Sequence, residues 1–81
     1  MLRRCESGDN YANKRNPRYR GAYQFAWRTW DAVAARQGWH DLVGVDPADA
    51  HPTSQDSMVR VLYASSGWKP WPVCGKRASA A

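Results

Sequence analysis

Hydrophobic positions fall into two stretches of helical spacing, separated by polar or turn-rich chain. Tyr23, Ala26, Trp27, Trp30, Val33 and Ala34 recur at intervals of three and four, with Phe25 among them and no proline. This predicts a helix over Tyr23–Arg36 that Gly38 ends. Met58, Val61, Leu62 and Ser65 form a second inward stripe. They predict a helix capped by Thr53 or Ser54 and ended by Gly67, with Asp56 in the first turn near the positive end of the dipole. Arg3–Glu6 reads as the last turn of a helix closed by Ser7-Gly8, since glycine takes the left-handed conformation that stops helices. Asp9–Arg20, which carries Asn10, Asn13, Asn16 and Pro17, reads as a long surface loop with room for a short extended piece. Such loops in small domains often carry function. Trp39–Asp49 is a connector, with a turn at Val45-Asp46-Pro47 and a helical turn at Pro47–Ala50. Trp68–Cys74 is rigid and proline-rich, and Gly75–Ala81 reads as a frayed tail. No repeat and no strand pair stands out. The expectation is a small, mainly α domain over residues 1–74, followed by a flexible tail over 75–81.

Size changes this picture by asking what holds the domain together. A chain of 81 residues buries only about 60% of its unfolded surface. Its two cysteines, Cys5 and Cys74, could be a staple or two buried thiols. A bond between them would close a loop of roughly 70 residues, worth about 4 kcal/mol in the chain-entropy picture, and would require an oxidising compartment. No apolar run is long enough to cross a membrane, so no membrane insertion is expected. Met1-Leu2-Arg3-Arg4 is too short for a signal peptide, so export would need a leader upstream. The net charge of +5 favours an anionic partner, whether nucleic acid, membrane surface or acidic wall polymer. Charge alone does not choose among these. Five tryptophans, four tyrosines and one phenylalanine supply both core and candidate flat surfaces for sugars or bases.

The order of short motifs is more specific. Cys5-Glu6-Ser7-Gly8, then Asn10 and Tyr11, is followed by Gly21, Gln24 and Phe25, then Thr29 and Trp30. Gln55, Gly67, Trp68, Trp71, Pro72 and Cys74 complete the series. From Cys5 to Cys74 this order resembles the resuscitation-promoting-factor, or transglycosylase-like, domain family of the lysozyme-like superfamily. The resemblance implies a small lysozyme-like fold with Cys5 and Cys74 bonded. It implies a secreted enzyme of the cell wall that acts on peptidoglycan glycan strands, with Glu6 as catalytic acid. Gln24, Thr29 and Trp30 occupy positions that line the substrate cleft, as does Tyr19. A wall endopeptidase is the partner protein implied, and a monomer is expected.

The residues permit that chemistry. A glycosidic oxygen leaves poorly unless it is protonated as the bond breaks, and a carboxylic acid in an apolar setting can do this at neutral pH. A second carboxylate is harder to find: Asp9 follows a glycine, and Asp31 lies beside Trp30. The family generally manages with one glutamate, with the muramyl 6-hydroxyl closing a 1,6-anhydro product. This makes a lytic transglycosylase cutting the β-1,4 MurNAc–GlcNAc bond the favoured expectation, ahead of simple hydrolysis.

Each residue also has a plainer reading. Alone, Glu6 would be a surface carboxylate at a helix end and Gln24 a polar helix residue. Thr29 divides evenly between helix surface and cleft, and Asp9 is more naturally a loop residue. Trp30, Trp68 and Trp71 suit a core better than a sugar platform. His40 and His51 with the two cysteines fit no zinc spacing, so neither metal nor cofactor is expected. Lys14, Arg15, Arg18, Tyr19 and Arg20 make the best nucleic-acid candidate. Beside the other motifs they read instead as a basic edge of the cleft facing a negatively charged wall, and no nucleic-acid partner is expected. Two departures from the family stand out in the motifs, Asp9 for a second glycine and Ala22 for the second residue of a Gly-Gly pair. The family also usually has a longer first helix than the four residues before Cys5 allow. That departure keeps a non-catalytic peptidoglycan-binding module as the alternative.

Overall fold

The computed structural model describes residues 2–80, with side chains as far as Arg77. Helix α1 (Leu2–Ser7) leads through a long loop to a minimal antiparallel hairpin, β1 (Tyr19–Arg20) and β2 (Phe25–Ala26), which runs directly into α2 (Trp27–Gln37). Two 3-10 turns, His40–Leu42 and Pro47–Asp49, connect it to α3 (Pro52–Ser66), and α4 (Cys74–Ala80) follows.

The hairpin is one departure from the sequence expectation, and it sets where α2 begins. Tyr19 pairs with Ala26 and Arg20 with Phe25. Between them Gly21 and Gln24 both take positive φ, 84° and 55°, and the Gln24 N–H closes the turn on the Gly21 carbonyl at 3.3 Å. Tyr23–Ala26 therefore belongs to turn and strand, and α2 starts at Trp27 rather than Tyr23. Its end is as expected, with Gly38 at φ 75° donating its N–H to the Ala34 and Ala35 carbonyls.

Helix α3 is capped by neither Thr53 nor Ser54. His51 is the cap, with Pro52 in the first turn, and its Nδ1 accepts the Thr53 N–H at 3.2 Å. Asp56 lies beyond the first turn and instead receives the hydroxyls of Tyr11 at 2.9 Å and Tyr23 at 2.6 Å. The buried stripe is Gln55, Met58 and Leu62, whereas Val61 is half-buried and Ser65 is exposed.

Helix α2 packs on α3. Ala22, Phe25, Trp30, Val33, Met58 and Trp71 fill the core. Phe25 stands edge-on to Trp30 and Trp71, with ring centroids 5.2 and 6.3 Å apart, an arrangement aromatic pairs favour.

Cys5 and Cys74 are bonded, with Cα atoms 5.7 Å apart across 69 positions of sequence. The bond holds α1 against α4. Past Cys74 the backbone is helical to Ala80, over most of the stretch that the sequence reads as a frayed tail from Gly75; Ala81 lies outside the described residues. Gly75 and Arg77 donate their N–H groups to the Trp71 and Val73 carbonyls at 2.7 and 3.3 Å, so the helix grows from the turn that the disulfide fixes.

Candidate functional site

Glu6 lies in the last turn of α1, next to the disulfide. Three ties orient that short helix. The Ser7 hydroxyl donates to the Ala22 carbonyl at 2.7 Å and accepts the Asn10 N–H at 3.0 Å. Arg3 donates to Asp9 at 2.8 Å and to the Tyr11 hydroxyl. The disulfide adds the third tie, to α4.

The half-buried Glu6 side chain borders a groove of about 330 Å³, closed by Tyr19, Gln24 and the run Pro70-Trp71-Pro72-Val73. Loss of water on burial raises its carboxyl above the ordinary glutamate range. A second space, of about 250 Å³, shares Tyr19, Gln24, Pro70 and Trp71 with the first and adds Phe25, Ala26 and Thr29. Together they form one groove with Glu6 at one end and Thr29 toward the other.

The structure thus brings Glu6, Tyr19, Gln24 and Thr29 to one groove. Gln24 is held by its own turn, its Nε2 donating to the Gly21 carbonyl at 2.8 Å. Tyr19 is 46% exposed and forms part of the wall in both halves. Trp30 is placed differently. Its side chain is 0% exposed and its Nε1 donates to the Leu42 carbonyl at 2.9 Å. It offers no face to the groove and instead backs Phe25 from beneath.

Among the described residues no second carboxylate lines either half of the groove. Asp9 is bound by Arg3, which holds its carboxyl below the usual range. Asp31 accepts the Gly44 N–H at 2.8 Å. Among the described residues no three histidine, cysteine or carboxylate side chains gather as a metal site would need.

The wall formed by Pro70–Val73 was missed as part of the site. Trp71 is almost fully buried yet lines both halves, anchored by its Nε1 to the Tyr23 carbonyl at 3.0 Å. Its signal lay in the Trp-Pro-x-Cys run. Whatever precedes Cys74 by a few residues must lie near Cys5, and therefore near Glu6.

The family described as transglycosylase-like domain matches residues 1–74. This chain belongs to that family. The transglycosylase-like domain is 31% identical over 74 residues to resuscitation-promoting factor Rpf2 of Corynebacterium glutamicum, covering 91% of this chain and 18% of that protein. It is 30% identical over 73 residues to resuscitation-promoting factor Rpf1 of the same organism, covering 90% of this chain and 35% of that protein. The chain therefore spans well under half the length of either relative. The transglycosylase-like domain is mainly helical and lysozyme-like, with the Cys5–Cys74 bond in place.

Proposed function

We propose that this domain cleaves peptidoglycan glycan strands at the β-1,4 bond between MurNAc and GlcNAc, with Glu6 as general acid. The observation that carries the reading is the single carboxyl of the groove, made easier to protonate by burial. The family and its two relatives support it. Glu6 donates its proton to the glycosidic oxygen as the bond to the muramyl C1 breaks. Hydrolytic glycosidases usually place a second carboxylate across the bond, as base or nucleophile, and none of the described residues supplies one in this groove. The cation-like C1 is therefore taken by the muramyl 6-hydroxyl, whose proton returns to the Glu6 carboxylate. The products are a 1,6-anhydro-muramyl end and a free GlcNAc hydroxyl, and no water is consumed. Tyr19, Gln24 and Thr29 hold the sugars along the groove.

The disulfide fits a protein exported to the cell wall, where thiols stay oxidised. The domain acts as a monomer on the strand, and a wall endopeptidase is the partner that the family resemblance suggests.

The test is mass spectrometry of soluble fragments released from purified peptidoglycan by the wild-type domain and by Glu6→Gln. Anhydro-muramyl products that disappear in the variant are the expected result. Reducing-end products would replace transglycosylation with hydrolysis. Binding without release of fragments from wild type would replace both with a peptidoglycan-binding module.

A further inference from the structure

The loop before the hairpin carries more cation than the fold uses. Two of its basic residues are engaged. Lys14 pairs with Asp49 at 2.6 Å, and Arg20 forks onto Asp46 at 2.6 Å while donating to the Lys14 and Asn16 carbonyls. Arg15 and Arg18 are exposed, and their side chains have no partner among the described residues. The same holds for Arg28 in the first turn of α2.

These arginines stand on a built support. Asn13 and Asn16 accept the N–H groups of Arg15 and Arg18 through their own side chains, at 3.1 and 2.8 Å, which shapes the loop locally. Trp27, 38% exposed, donates its indole N–H to the Pro17 carbonyl at 3.0 Å and carries the Arg20 guanidinium over its ring. The loop is thereby fastened to the start of α2.

Its position relative to the groove follows from the chain. Tyr19 and Ala26 face each other across the hairpin, and both line the half of the groove away from Glu6, as does Thr29. Arg18 immediately precedes Tyr19, while Trp27 and Arg28 lie between Ala26 and Thr29. Arg18 and Arg28, whose guanidinium groups are unpaired among the described residues, thus stand one residue from Tyr19 and Thr29 at this end, beside the exposed Trp27.

We propose that Arg18, Arg28 and Arg15, with Trp27, form an accessory subsite for the carboxylates of the peptides carried by the glycan strand. This deepens the proposed function and rests on it. A planar, weakly hydrated guanidinium pairs with a carboxylate through two parallel hydrogen bonds, and peptide-bearing strands present such carboxylates at each muramyl unit. The subsite makes the domain prefer strands that still carry their peptides over strands stripped of them. Each exposed pair contributes modestly, about a threefold change in affinity, and is weakened by salt.

The test is equilibrium binding of the full chain carrying Glu6→Gln, so that bound strands stay intact. Two soluble glycan preparations are compared, one bearing peptides and one stripped by an amidase and then amidated at the lactyl carboxylate that the amidase leaves, each at low and physiological salt. The expected result is tighter binding of the peptide-bearing strands, with the preference shrinking as salt rises. Replacing Arg15, Arg18 and Arg28 with Gln should remove about tenfold or more of it. Replacing them with Glu should reverse it, and thermal unfolding checks that both variants stay folded. Equal binding of the two preparations by the parent domain would overturn the subsite alone. So would an unchanged preference in the Gln variant, or equally tight, equally salt-sensitive binding of a single-stranded oligonucleotide. Failure to bind either preparation would remove the parent reading and the subsite together.

Discussion

Gln55 Oε1 occupies the space that a Cβ on Gly21 would need: the two would lie 2.5 Å apart. The same oxygen accepts the Ala22 N–H at 3.0 Å, and Nε2 donates to the Tyr11 and Ala50 carbonyls, each at 3.0 Å. One side chain of α3, 1% exposed, thus fastens the turn that presents Gln24. Gly21→Ala should lower stability by about 3 kcal/mol, through a strained positive φ and displacement of the buried amide. Gln55→Leu should do at least as much, since it takes this partner from the buried Ala22 N–H and Ala50 carbonyl and from the half-buried Tyr11 carbonyl. Urea unfolding measures both, and a midpoint unchanged in either variant would show that the turn is held by other contacts.

Glu6 should make the domain less stable as pH rises. Its carboxyl is raised in the fold by burial, so between the unfolded and folded pKa values the native state binds more protons than the unfolded chain. Stability then falls as pH climbs through that window and stays lower above it. Glu6→Gln removes this penalty. Its melting temperature should exceed that of wild type at neutral pH and converge with it in acid below the ordinary glutamate range. Strand cleavage should decline over the same rise in pH, as the acid loses its proton.

Core and groove residues should separate cleanly. Trp30→Ala should cost about 4 kcal/mol and leave little folded protein to assay. Trp30→Phe is gentler: it removes the indole N–H bond to the Leu42 carbonyl, which keeps the Val45 N–H as a partner. Tyr19→Ala and Thr29→Ala should keep the melting temperature within a few degrees of wild type while weakening strand binding. A large drop in melting temperature for Tyr19→Ala would place that ring in the core instead.

Reduction should lower the melting temperature markedly, because the bond closes a loop spanning 69 positions. Its loss is worth about 4 kcal/mol in the chain-entropy picture. Cys5→Ser combined with Cys74→Ser should reproduce the effect without reductant. Circular dichroism of that variant should also show loss of helix from α4, which leans on α1 through this bond.

The long elements were legible because periodicity is a property of many residues at once. Trp30, Val33 and Ala34 could point one way only on a helix, and Met58 and Leu62 likewise. The hairpin was not legible, because two-residue strands are too short to alternate, and Tyr23-Gln24-Phe25 mimics the helical spacing that follows. His51 was passed over as a cap because hydroxyl and carboxamide side chains dominate that role, although a neutral imidazole nitrogen accepts a hydrogen bond equally well. Gln55 stood in the family pattern without a role, since nothing local distinguishes a solvated glutamine from one that satisfies three backbone groups at a distance. For Trp30 the resemblance implies the cleft while the helical stripe reads as core, and the structure sides with the stripe; only its N–H bond to the Leu42 carbonyl has no local signal. The cysteine pairing came from the resemblance, as the residues alone left free thiols open.

Cys5 directly precedes Glu6, so the fastening of the helix and the placement of the acid are a single event in the life of the chain. With both thiols reduced, the glutamate sits on a short helix that no covalent bond joins to α4. Oxidation completes that support at the residue next to the carboxyl. The redox state of two sulfurs is thereby written into the placement of a neighbouring side chain.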